Sequence, residues 1–85
     1  MNFLHYEVEA GPGNTVRVIL DKQANVRLLD SLNFQKYRSG QEHKYYGGLA
    51  QVSPVSLKPP YRGHWHVVID LGGGGGSVSA SVQVL

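Results

Sequence analysis

Two histidines spaced two residues apart, His64 and His66, with Asp70 close behind, form the set in this sequence best suited to chemistry. Residues i and i+2 of a strand share a face, so both imidazoles can be presented together, and two imidazoles with a carboxylate suit an open metal site. Asp70 lies four residues past His66, roughly 13 Å along a strand that rises about 3.3 Å per residue, too far to share a coordination shell without a bend. His5 or His43 would have to supply the third ligand. Weighed against this is a purely structural reading, in which the imidazoles are hydrogen-bonded on a half-buried sheet face. The balance favours the structural reading, so no metal or other cofactor is assigned.

Ser31, His64 or His66, and Asp70 also match a hydrolase set by residue type. Type alone is weak: there is no Gly-x-Ser-x-Gly elbow, and Ser77, Ser79 and Ser81 alternate as the solvated face of a strand. The chain is therefore not read as an enzyme. The run Gly72 to Gly76 lacks the Gly-Lys-Ser/Thr ending of a phosphate loop and precedes a strand, so it reads as a hairpin loop. Lys36-Tyr37-Arg38 and His43-Lys44-Tyr45-Tyr46 interleave cations with rings, the composition of a nucleic-acid surface built from Lys36, Arg38, Lys44, Tyr45 and Tyr46. The competing account packs Tyr37 and one of Tyr45 or Tyr46 into the core and leaves the cations solvated. Trp65 alternates with Val67 and Ile69 and reads as a core anchor.

Strands must hold these groups. Segments rich in β-branched and aromatic residues are cut at short intervals by Gly, Pro, Asn and Asp. Phe3 to Glu9 alternates Leu4, Tyr6 and Val8 inward with His5, Glu7 and Glu9 outward. Thr15 to Leu20 and Asn25 to Leu29 follow, and the short turn between them predicts a hairpin. Between Asp30 and Gly40 a helical turn is expected near 31–38, capped by Asp30 or Ser31, with Phe34 and Tyr37 on one face and Gly40 as terminator. Tyr45 to Ala50 is a strand in which Gly47-Gly48 signals a bulge or a close backbone approach. Gln51 to Lys58 is another, held to an edge by Pro54. His64 to Leu71 is the strongest strand, with Trp65, Val67 and Ile69 opposite His64, His66, Val68 and Asp70. Ser77 to Leu85 closes the pattern with Val78, Ala80, Val82 and Val84 inward. The expectation is an all-β fold: a small antiparallel, jelly-roll-like β-sandwich of seven to eight short strands, one domain over residues 1–85.

Composition narrows the function classes. At 85 residues there is room for one core. The absence of cysteine removes disulfides and thiolate sites, and with no secretory signal or apolar span visible it points to the cytoplasm rather than a membrane. Eight Lys and Arg against six Asp and Glu give a charge of +2, which neither demands nor forbids an acidic partner.

The segments Phe3-Leu4-His5-Tyr6, Val26-Arg27-Leu28-Leu29-Asp30-Ser31-x-Asn33-Phe34-x-x-Tyr37-x-x-Gly40 and Gly63-His64-Trp65-His66-Val67-Val68-x-Asp70-Leu71-Gly72-Gly73, taken together, resemble a bacterial family catalogued as domain of unknown function 1883. The resemblance spans essentially the whole chain. It implies a small β fold, found alone or fused to modules such as Toll/interleukin-receptor-like domains, and hence a sensing or docking role; it brings no catalytic residues. The resulting expectation is a non-catalytic binding module, monomeric or weakly self-associating. Its partner would be a protein or small molecule met through the loops Asn33 to Tyr46 and Gly72 to Gly76, with Tyr37, Lys44, Tyr45, Tyr46, His64 and His66 as the ligand-facing candidates.

Overall fold

In a computed structural model, residues 3–72 and 76–85 are described, and they form seven strands and one helix. In chain order these are β1 (Leu4–Ala10), β2 (Val16–Leu20), β3 (Ala24–Asp30), α1 (Ser31–Arg38), β4 (Tyr46–Ala50), β5 (Val55–Leu57), β6 (Gly63–Asp70) and β7 (Ala80–Val84). Two antiparallel sheets face each other, one ordered β1-β6-β3-β4 and the other β5-β2-β7. The all-β sandwich expected from alternation is therefore the fold.

The core lies between the sheets. Val16 and Val18 from β2, Val26 and Leu28 from β3, and Trp65, Val67 and Ile69 from β6 are fully or almost fully buried there. Each such aliphatic side chain contributes roughly 1.5–3 kcal/mol on leaving water. Trp65 is the anchor anticipated for it; its indole Nε1 donates to the Tyr61 carbonyl at 3.1 Å. A Tyr6 hydroxyl donating to the Ala80 carbonyl ties the sheets together at one side.

One pairing departs from expectation. β2 and β3 do not form a hairpin: β2 pairs with β5 and β7, while β3 pairs with β4 and β6. The chain crosses between sheets at residues 21–23, where Asp21 instead grips Ser79 through its amide and its carboxylate. Crossing sets the apolar faces of β2 and β3 against each other across the core, whereas a hairpin would have placed them side by side in one sheet. Ser79, held in that turn, lies outside β7, so the last strand is shorter than its sequence alternation. The reading of Gly72 to Gly76 as a loop falls partly on residues 73–75, outside the described residues.

A second apolar cluster sits on the outer face of the larger sheet. Leu29 and Val68 point outward from β3 and β6, and Phe34 and Tyr37 of α1 close over them, with Phe3 at the margin. The helix is as expected: Asp30 is its cap, accepting from the Asn33 amide at 2.8 Å, and Gly40 takes a positive φ of 75° just beyond its end. The outer face of β6 is thus roofed on one side by α1 and open on the other.

Candidate functional site

The first strand and the sixth are neighbours, paired so that Glu7 faces His66 and Glu9 faces His64, with His5 one step along. Strand alternation puts all five side chains on the outer face. His66 is buried at 6% exposure, and both of its ring nitrogens are engaged: Nδ1 with His5 Nε2 at 2.8 Å and Nε2 with Ser31 Oγ at 3.1 Å. The rings of His5 and His66 lie nearly parallel, and the Phe34 ring stacks on both, at 4.2 and 4.3 Å between centroids. Ser31, at the first position of α1, therefore turns its hydroxyl to His66, and the capping role goes to Asp30.

His64 behaves differently from His66. It reaches outward to Glu7 through Nε2 and to Glu9 through Nδ1, both at 2.8 Å. The spacing predicted that the two histidines share a face, and they do, their centroids 5.0 Å apart; their partners are separate.

Asp70 belongs to another cluster. It is 2% exposed and accepts from Asn25 Nδ2, Arg27 Nη1, the Tyr37 hydroxyl and the Gly72 amide. It is thus removed from the imidazoles, in agreement with the distance argument. Arg27 lies over the rings of Tyr37 and Tyr45, and His43 touches the same two rings, so His5 rather than His43 is the histidine that joins His66. Tyr45 and Tyr46 part company: Tyr46 packs edge-on against Trp65 on the core side. Lys44 is fixed through its backbone amide, which donates to Asn33 Oδ1. Of the six expected ligand-facing residues, Tyr45, His64 and His66 lie on the outer face, Tyr37 is buried in the cluster beneath α1, Tyr46 lies on the opposite side, and Lys44 is placed only through its backbone amide.

Sequence reasoning offers His5 as a third ligand and Ser31, by residue type, beside His64 or His66; Glu7 is the member of the cluster that it leaves out. Glu7 and His5 carried a signal, their alternation on β1, but the pairing of β1 with β6 links residues 61 apart. No local pattern announces such a contact.

Electrostatics separates the two β6 imidazoles. Hydrogen bonds that His64 donates to the Glu7 and then the Glu9 carboxylate hold its pKa above its ordinary 6.5. Burial, then the neighbouring His5 and His64, push His66 below 6.5. His64 thus contributes stability that is complete below about 6.5 and lost as pH rises through its raised pKa; His66 contributes stability present above 6.5 and lost as pH falls through its depressed one. NMR titration of the imidazole Cε1 protons should give a higher midpoint for His64 than for His66. Glu7→Gln should bring the His64 midpoint down; coincident midpoints in the parent protein would contradict this arrangement.

The arrangement offers three capabilities: a chain from Ser31 through His66 to His5 that can pass a proton, a mixed nitrogen and oxygen donor set at His5, Glu7 and His66, and an exposed polar rim at His64 and Glu9. The donor atoms of His5, Glu7 and His66 all lie within 4.8 Å of one another. Among the described residues, no helix is long and apolar enough to cross a membrane.

No curated protein and no solved structure matches this chain. A family model described as Domain of unknown function (DUF1883) matches residues 1–85, the strands, the helix and the outer-face residues included, and the chain belongs to that family.

Proposed function

We propose that this protein is a non-catalytic binding module whose recognition surface is the open part of the outer face of the larger sheet. The observation that carries this reading is the row Ser31, His66, His5, Glu7, His64 and Glu9. The histidines and glutamates of the row are held in register by the β1–β6 ladder, Ser31 is delivered from α1, and the Phe34 ring stacks on His5 and His66. Side chains pre-positioned on strands bind with little ordering cost. The ligand is polar, meeting imidazole and carboxylate groups rather than an apolar groove. The cysteine-free composition supports a cytoplasmic setting.

An NMR screen of small polar compounds against isotopically labelled protein tests this directly. Binders should shift the amides of His5, Glu7, Ser31, His64 and His66 together. Binders that perturb only the 41–46 segment, or a screen that leaves this face unmoved, would retire the proposal.

A second reading, nucleophilic chemistry at Ser31, is favoured by one observation, the hydrogen-bonded chain from Ser31 Oγ through His66 to His5. Its test is labelling by a fluorophosphonate probe, read by mass spectrometry: modification of Ser31 that is lost in His66→Gln supports it, and an unlabelled Ser31 ends it.

A further inference from the structure

We propose that His5, Glu7 and His66 together bind one divalent first-row transition ion of the Zn2+ class. This rests on the reading of the outer face as a binding surface, and it names the ligand.

The geometry is close to what a metal needs. One donor atom from each residue lies within 4.8 Å of the other two. Bonds of about 2.0–2.2 Å in a tetrahedral shell space the donors about 3.3 Å apart. His5 Nε2 and His66 Nδ1, now 2.8 Å apart, would open by about half an ångström, and the carboxylate would close in by a side-chain adjustment. The strands themselves need not move, because Glu7 already stands opposite His66 in the ladder.

The surrounding groups orient the donors. If Ser31 Oγ accepts the His66 Nε2 proton, the Nδ1 lone pair is turned toward His5, the tautomer a metal ligand requires. Glu7 Oε1 is held by His64 Nε2, leaving Oε2 as the oxygen to offer. The Phe34 ring, stacked on both imidazoles, fixes their planes and excludes water from one side. Two imidazole nitrogens and one carboxylate oxygen form a borderline donor set that selects Zn2+, Co2+ or Ni2+ over Mg2+ and Ca2+. Three protein ligands leave a fourth position open, and because His5 and Glu7 are exposed it faces solvent, where a partner's lone pair could complete the shell.

The test is calorimetry and equilibrium dialysis on chelator-treated, tag-free protein with ZnCl2 and CoCl2. One equivalent of each should bind saturably, with MgCl2 and CaCl2 giving no signal. His5→Ala and Glu7→Gln, at exposed positions, should each weaken Zn2+ binding by at least about tenfold, and Ser31→Ala, which removes only an orienting partner, by about tenfold. His66→Ala should abolish binding, and a circular dichroism spectrum will show whether that buried variant is folded. His43→Ala should bind as the parent does. Absence of stoichiometric Zn2+ and Co2+ binding, or binding unchanged in both His5→Ala and Glu7→Gln, overturns the inference. If the polar-compound screen still maps to this face while the metals do not bind, the recognition surface stands and the metal alone is refuted.

Discussion

Replacing Asp70 by Ala is expected to lower the unfolding free energy by about 3–5 kcal/mol, the usual effect of removing one member of a buried ion pair. The carboxylate is 2% exposed, and four groups converge on it: Asn25 Nδ2 at 3.0 Å, Arg27 Nη1, the Tyr37 hydroxyl at 2.9 Å and the Gly72 amide at 2.8 Å. The substitution leaves the Arg27 charge without its counter-charge and takes the shared acceptor from strand β3, helix α1 and Gly72, two residues beyond β6, at once. A domain of this size has about 5–15 kcal/mol in hand, so much of its stability is at stake. Urea unfolding followed by Trp65 fluorescence measures it, and a loss below about 1 kcal/mol would mean the cluster is replaceable by water.

The same carboxylate gives acid stability a defined sign. Burial pushes the Asp70 pKa up, but hydrogen bonds from Asn25, Gly72 and Tyr37 and the charge of Arg27 outweigh it, so the net shift is below the ordinary 3.8. Stability from this site is therefore present above about 3.8 and lost as pH falls through the depressed folded value. Tyr37, driven by burial and by Asp70 to a pKa of about 12, keeps its proton and stays a donor throughout. In Asp70→Asn the acid limb of the stability profile should flatten.

Gly47→Ala is the second substitution with a large expected effect, a loss of about 3 kcal/mol or more. A Cβ on Gly47 would sit 2.3 Å from the Val26 carbonyl oxygen, and φ is +115°, a conformation that side-chain-bearing residues rarely adopt. The added Cβ is fixed directly to the β4 backbone and the oxygen it meets is backbone of the inner strand β3, so neither can turn aside and relief requires the ladder to part. Gly48 is the internal control: φ there is +149°, but nothing lies within 4 Å of its Cβ position. Gly48→Ala should carry the conformational penalty alone, about 1–3 kcal/mol. Thermal unfolding of the two variants separates the terms, and equal losses would show that the close approach of β4 to β3 is not what demands glycine.

Asp70 also bears on the proposed recognition surface, through the elements that frame it. Asp70 holds Arg27 and Tyr37, and Tyr37 with Phe34 packs α1 onto Leu29 and Val68. Phe34 in turn backs His5 and His66. Loosening the Asp70 cluster should thus also broaden the His5 and His66 resonances, at a distance from the substitution.

Much of this was legible in the residues. Alternation assigned nearly every side chain to the correct face: Trp65, Val67 and Ile69 inward and His64, His66 and Asp70 outward on β6, and His5, Glu7 and Glu9 outward on β1. The cap at Asp30, the stop at Gly40 and the close approach at Gly47 follow from backbone chemistry a few residues long. Spacing also separated Asp70 from the imidazoles, since strand rise is a local quantity.

What the tertiary structure alone decided is which strand lies beside which. Period-two patterning fixes the face a residue occupies but is silent about its neighbour across the ladder, because the same hydrogen-bonding groups are repeated along every strand. Hence β2 and β3, adjacent in sequence, part into different sheets, while β1 and β6 meet from opposite ends of the chain. That meeting gives His66 its partner in His5, places Glu7 opposite it and lets α1 deliver Ser31 to its other nitrogen. The two histidines that the sequence marks out are only one edge of the site; the rest of it exists because distant strands pair.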